Sequence, residues 1–168
     1  MKLYFNGFSL INEQELFTDY QEISDFIVSG FSYGAIKALE YVLNTDTRVD
    51  KLQLFSPAYF NDKDKKYKRM QLIYFKKDPL SYCDTFLKNS GFSQGIKSSY
   101  FHLGKYEELN ELLHYKWSEE KLQKLVDKNI ILEVYLGSED KIIDSNEALK
   151  FFRKFGEVYY IKNRGHIL

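Results

Sequence analysis

The segment Gly30-Phe31-Ser32-Tyr33-Gly34 constrains this chain more than any other. It follows a β-rich run, Asp25-Phe26-Ile27-Val28-Ser29, and precedes Ala35 to Leu43, where strong helix formers carry an apolar stripe. A serine between strand and helix, with a glycine two residues to either side, occupies a sharp turn that only small flanking residues allow. Such a turn pushes the hydroxyl outward and aims the free N–H groups and positive end of the next helix at the same point.

The rest of the chain supplies the frame for that turn. Lys2 to Asn6 reads as a short strand stopped at Gly7, and Asn12 to Glu22 as a helix with Leu16, Phe17 and Tyr20 on one side. Val49 to Ser56 and Asn129 to Leu136 read as strands, the latter the most apolar, followed by a helix over Asn146 to Phe155 and a strand over Glu157 to Ile161. Strands alternating with helices predict a mostly parallel sheet covered on both faces, an α/β chain in which residues 1–168 form one domain. Between Pro57 and Trp117 the pattern turns helical: Pro79 starts a helix capped by Asp78, Gly91 and Gly95 break the chain, and Tyr106 to Tyr115 is amphipathic. Residues 58–117 are therefore expected to be a helical lid inserted between core strands, over the end of the sheet where ligands bind.

Composition narrows the classes. Lys plus Arg and Asp plus Glu are 24 each, so no global charge calls for nucleic acid. No apolar run approaches the roughly 20 residues of a membrane span, the first residues do not read as a signal peptide, and the one cysteine, Cys83, cannot form an internal disulfide. A cytoplasmic setting with no membrane insertion is expected, and Cys83 is read as lid packing. No metal-ligand cluster or dinucleotide fingerprint is present, so no metal and no cofactor are expected. With 14 Phe and 14 Tyr, ring-lined walls suit a greasy substrate.

A serine hydroxyl needs a base within hydrogen-bond reach. His102 and His114 fall in the aromatic insertion, whereas His166 follows Arg164-Gly165 just after the last strand. The carboxylate that orients the base is sought in Gly137-Ser138-Glu139-Asp140, beyond the apolar strand. Asp140 is the first choice, with Glu139 and Asp144 as alternatives. Oxyanion donors are expected from the backbone N–H groups of Tyr33, after the nucleophile, and Phe8, after the first strand.

These residues, GFSYG, GSEDKI and the terminal RGH in the order Ser32, Asp140, His166, resemble the α/β-hydrolase superfamily. More narrowly, the small lidded chain is similar to the short pimeloyl-acyl-carrier-protein methyl ester esterases of biotin synthesis, with Asn6-Gly7-Phe8 matching the segment that supplies an oxyanion donor there. The resemblance implies a compact fold and a serine carboxylesterase that hydrolyses the methyl ester of a pimeloyl chain attached to acyl carrier protein, its partner. Only 22 residues separate Gly7 from Gly30, so the sheet is expected to be trimmed to about five strands flanked by helices. Seven basic residues between Asn61 and Asp78 outnumber three acids, a net of +4. Lys63, Lys65, Lys66, Lys68 and Arg69 are candidates for docking an acidic carrier, and Leu72 and Phe75 for lining an acyl pocket. Two alternatives stand beside this reading: another acyl esterase or thioesterase of the superfamily, and a non-catalytic module that binds an acyl carrier.

Overall fold

The computed structural model describes residues 3–93 and 99–168; Lys2 and Gly95 lie outside the described residues. Five strands form one sheet: β1 (Leu3–Phe5), β2 (Ile27–Phe31), β3 (Lys51–Phe55), β4 (Ile131–Gly137) and β5 (Glu157–Ile161). They lie side by side in chain order and every pairing is parallel. The expected trimmed sheet is thus observed. Because all strands point the same way, the loops after β1, β2, β3, β4 and β5 emerge at one end of the sheet, which brings residues more than a hundred positions apart into one place.

The helices whose residues are all described are α1 (Tyr33–Asn44), α2 (Lys65–Lys77), α3 (Pro79–Ser90), α4 (Tyr106–His114), α5 (Glu119–Asp127) and α6 (Ser145–Phe152). α1 packs on β1, β2 and β3, α5 on β4, and α6 on β4 and β5. Between them lies the main core, where Leu52, Leu54, Val134 and Leu136 of the sheet meet Ile36, Leu39, Leu125 and Phe152. The α5 helix is absent from the sequence reading, since Glu-Glu-Lys-Leu-Gln-Lys-Leu offers few apolar positions. Ser118 caps it by accepting the Lys121 N–H, and Leu122 and Leu125 are its buried face.

The second face departs from expectation. Asn12 to Glu22 is not a full helix: one 3-10 turn spans Glu13–Phe17, entered through Asn12 in the left-handed region at φ 58° with no side-chain cap. Phe17 still anchors this face, stacking on Phe55 at 4.9 Å and lying 4.8 Å from Phe31. Further along the strands the cover is thinner and the inward residues are polar. Gln21 donates to Ser29, Gln53 donates to Glu133 at 2.9 Å, and Lys51 pairs with Glu133 at 2.7 Å. The strand read as most apolar therefore carries a buried carboxylate, while Ile131 on the same side is 56% exposed.

Between β3 and β4 the chain leaves the sheet and returns, and its two ends are tied at the foot. Asn61 donates to the Trp117 carbonyl at 2.7 Å and accepts the Trp117 N–H at 3.1 Å, while the Trp117 indole donates to Ala58 O at 2.9 Å. Within this excursion Asp78 caps α3 through the Ser81 N–H, as the Asp78-Pro79 pair predicts. Leu10 and Phe101 form an isolated antiparallel bridge that clips the excursion to the segment after β1.

Candidate functional site

Ser32 follows β2 directly and occupies the N-cap position of α1 at φ 52°, a region a side-chain-bearing residue adopts only when its surroundings hold it there. They do: its N–H donates to Phe55 O at 2.9 Å, and its carbonyl accepts the Ala35 and Ala58 N–H groups, each at 3.1 Å. The two flanking glycines are required by contact. A Cβ on Gly30 would lie 2.3 Å from the Gly34 carbonyl oxygen, and one on Gly34 would lie 1.9 Å from the Phe5 carbonyl oxygen at the end of β1. The strand-to-helix turn and the neighbouring strand end are packed backbone against backbone.

His166 reaches this turn from the opposite end of the chain. Its Nε2 is 2.9 Å from Ser32 Oγ and its Nδ1 is 2.7 Å from Asp140 Oδ2. The imidazole and the Asp140 side chain are wholly buried, and the Phe31 ring lies 5.1 Å from the imidazole. The other oxygen of Asp140 accepts the N–H groups of Ile142 and Ile143 at 2.7 and 3.0 Å, which fixes the carboxylate. Backbone bonds hold the two loops together: Ser138 N–H to Ile161 O and Glu139 N–H to Arg164 O.

The neighbouring candidates are engaged elsewhere. Glu139 is exposed, and the Asp144 carboxylate caps α6 through the Asn146 and Glu147 N–H groups. His102 is exposed, and His114 is exposed at the end of α4, beside the Asn110 carbonyl.

The Tyr33 N–H opens α1 and has no intrahelical acceptor. The Phe8 N–H has no acceptor among the described residues. The Tyr33 side chain turns toward the excursion, donating to Glu111 of α4 at 2.7 Å, where Lys37 also donates. Burial pushes the Tyr33 phenol up to about 12.

A cavity of about 540 Å³ opens between α2, α3, α4 and the loop after β4. Tyr67, Gln71 and Tyr74 of α2 line it, with Phe86 of α3, Leu112 of α4 and Ile142. Phe86 also packs edge-on against Phe8 at 5.5 Å, so the cavity lies one ring away from the segment after β1. Leu72 and Phe75 are not among the residues that line this cavity. They sit on an adjacent side of α2, where Phe75 is buried against Phe8, Tyr82 and Tyr106 and Leu72 packs on the core. Lys65, Lys66 and Arg69 are exposed and Lys68 half-buried, whereas Lys63 is held by Asp62 at 2.8 Å and lies over the Tyr67 ring.

Three residues near the site are absent from the sequence reading. Ser56, at φ 40°, donates its hydroxyl to the His166 carbonyl at 2.6 Å, and its one signal was a serine before proline at a strand end. Glu13 is a buried acid six residues after Gly7. Ser9, at φ 61°, accepts the Gly104 N–H and donates to Cys83, which is buried as expected. No helix among the described residues is long and apolar enough to cross a membrane.

No family model matches this sequence, and no curated protein matches it. Solved structures do match in fold. The chain superposes on the esterase EaEST from Exiguobacterium antarcticum with a TM-score of 0.67 at 18% identity, covering 92% of this chain and 62% of that one. BioG from Haemophilus influenzae matches with a TM-score of 0.61 at 16% identity, over 99% of this chain and 88% of that one. Naproxen esterase from Bacillus subtilis gives 0.54 at 20% identity, over 84% and 53%. This chain thus spans about half to three fifths of the length of the two named esterases and most of the length of BioG. The chain thus shares the α/β fold of these solved hydrolase structures.

Proposed function

We propose that this chain is a serine carboxylesterase whose substrate is the methyl ester of a pimeloyl chain carried on acyl carrier protein. The observation that carries the reading is the unbroken hydrogen-bonded line from Ser32 through His166 to Asp140, sealed from solvent. His166 Nε2 takes the Ser32 proton as Oγ attacks the ester carbonyl, and Asp140 stabilises the imidazolium. The N–H groups of Phe8 and Tyr33 hold the oxyanion. Collapse of the tetrahedral intermediate breaks the bond to the methoxy oxygen, which leaves as methanol with the proton from His166. Water, deprotonated by the same imidazole, then attacks the acyl-enzyme. Ser32 recovers its proton and the free carboxylate departs, still joined to its carrier.

Three observations favour this substrate class. The cavity beside the site is roomy enough for an acyl chain and lined mostly by rings and aliphatic groups. The exposed cations Lys65, Lys66 and Arg69 lie on α2, the helix that also supplies part of the cavity wall, and would steer an acidic carrier. The likeness in fold to BioG runs over nearly the whole of both chains. In this reading residues 58–117 act as the lid, and the setting is cytoplasmic.

The test is mass spectrometry of a methyl-pimeloyl carrier incubated with the protein. A carrier lighter by one CH₂ with its thioester intact is the expected product. Free carrier thiol would replace this reading with a thioesterase. Carrier binding with no turnover and no labelling of Ser32 by an organophosphonate would replace it with a binding module. Ser32→Ala should abolish turnover while the unfolding temperature stays close to that of the parent chain.

A further inference from the structure

The segment after β1 is held by a side chain that the reaction itself does not use. Glu13 lies in the 3-10 turn, fully buried, and its Oε1 accepts the Gly7 N–H at 2.7 Å and the Tyr4 hydroxyl at 3.1 Å. Its Oε2 has no hydrogen-bond partner among the described residues. A carboxyl kept from water with one oxygen unsatisfied costs free energy that a leucine in the same place would not. What the carboxyl holds is a turn packed against Phe31 and Gly34, one on either side of Ser32 in the chain. A Cβ on Gly7 would lie 2.8 Å from the Phe31 ring, and the carbonyls of Phe5 and Asn6 close on Gly34. With its N–H given to Glu13, Gly7 has one orientation of its peptide, and the next N–H in the chain, that of Phe8, is left without an acceptor among the described residues.

We propose that Glu13 is a positioning residue of the Ser32 site, its carboxyl accepting the Gly7 N–H and so holding the Asn6-Gly7-Phe8 turn with the Phe8 N–H free for the oxyanion. The inference rests on the serine esterase reading above. It does not depend on the acyl group, because the donor serves any ester carbonyl attacked by Ser32. Ser9 supports the same turn from the far side through Gly104 and Cys83, and the Tyr4 hydroxyl donates to the same Glu13 oxygen as the Gly7 N–H.

The test uses the full chain with a small aryl ester, active sites being counted by end-point labelling with an organophosphonate. Glu13→Leu removes the acceptor; a displaced donor should lower kcat per labelled site by up to about a hundredfold, with KM within about twofold. Glu13→Gln keeps an oxygen for the Gly7 N–H and should stay within about threefold of the parent. Glu13→Asp, one methylene short, should behave like Glu13→Leu, and the comparison of Gln with Asp decides the matter if the leucine variant does not fold. Tyr4→Phe should leave kcat unchanged. A purely structural role would lower the labelled fraction and the unfolding temperature but leave kcat per labelled site intact, and that result overturns the proposal. So does a glutamine variant as impaired as the aspartate. A parent chain that neither takes the phosphonate nor hydrolyses the ester overturns the esterase reading, and this inference with it.

Discussion

At the scale of single residues the imidazole of His166 has two kinds of support, one from its own ring partners and one from behind. Asp140 fixes the ring at Nδ1, while the Ser56 hydroxyl fixes the backbone by donating to the His166 carbonyl at 2.6 Å in a buried site. Ser56→Ala should lower kcat roughly fivefold with little change in KM, the equivalent of one hydrogen bond worth about 1 kcal/mol. Steady-state rates with any turned-over ester check this, and an unchanged kcat would show that the ring partners alone suffice. Ser32, Asp140 and His166 were legible because each stands in a distinctive local string after a strand. Ser56 was not, since a serine closing a strand has no mark that tells a donor to a distant carbonyl from an ordinary turn residue. Glu13 was hidden differently: an acid in an apolar-periodic stretch reads as the solvent side of a helix, and here the stretch is too short to be one.

At the scale of elements, the sequence periodicity found the strands and the α1, α3, α4 and α6 helices within a few residues, because burial on one face leaves a repeating mark. It overran where caps and turns decide the end, as in the 3-10 turn, and it passed over α5, where two leucines carry the burial and charges fill the rest. The orientation of α2 was also beyond periodicity. Tyr67, Gln71 and Tyr74 share one side of the helix and Leu72 and Phe75 the next, and choosing between them requires knowing where α3 and α4 lie. That leaves a clear use for the outer side. Replacing Lys65, Lys66 and Arg69 by acids should raise KM for a carrier-bound ester severalfold at low salt, leave KM for a small aryl ester unchanged, and lose its effect as ionic strength rises. Parallel kinetics on the two substrates would show this, and equal effects on both would mean that α2 acts on the cavity and not on a carrier.

At the scale of the whole molecule, the thinly covered face of the sheet makes stability depend on pH in two opposed ways. Burial would raise the Glu133 carboxyl, but hydrogen bonds from Lys51, Gln53 and Tyr135 overcome it and hold the group below the usual carboxylate range. A group lowered on folding contributes stability that is fully present above the unfolded value of about 4.3 and is lost as pH falls through the folded value. Glu13 has the reverse sign. Burial pushes it up against the lowering effect of the Gly7 N–H and the Tyr4 hydroxyl, so the folded chain holds that proton more tightly than the unfolded chain does. Its contribution is most favourable below about 4.3 and declines as pH rises toward the folded value. Urea unfolding of the parent, Glu133→Gln and Glu13→Gln chains between pH 3 and 8 separates the two. The stability lost in Glu133→Gln should be largest near neutrality and shrink in acid, whereas Glu13→Gln should improve relative to the parent as pH rises from 4 to 7. Differences that stay constant across the range would mean that neither carboxyl changes its proton affinity on folding, and the polar row across Ser29, Gln53 and Glu133 would then owe its place to geometry alone.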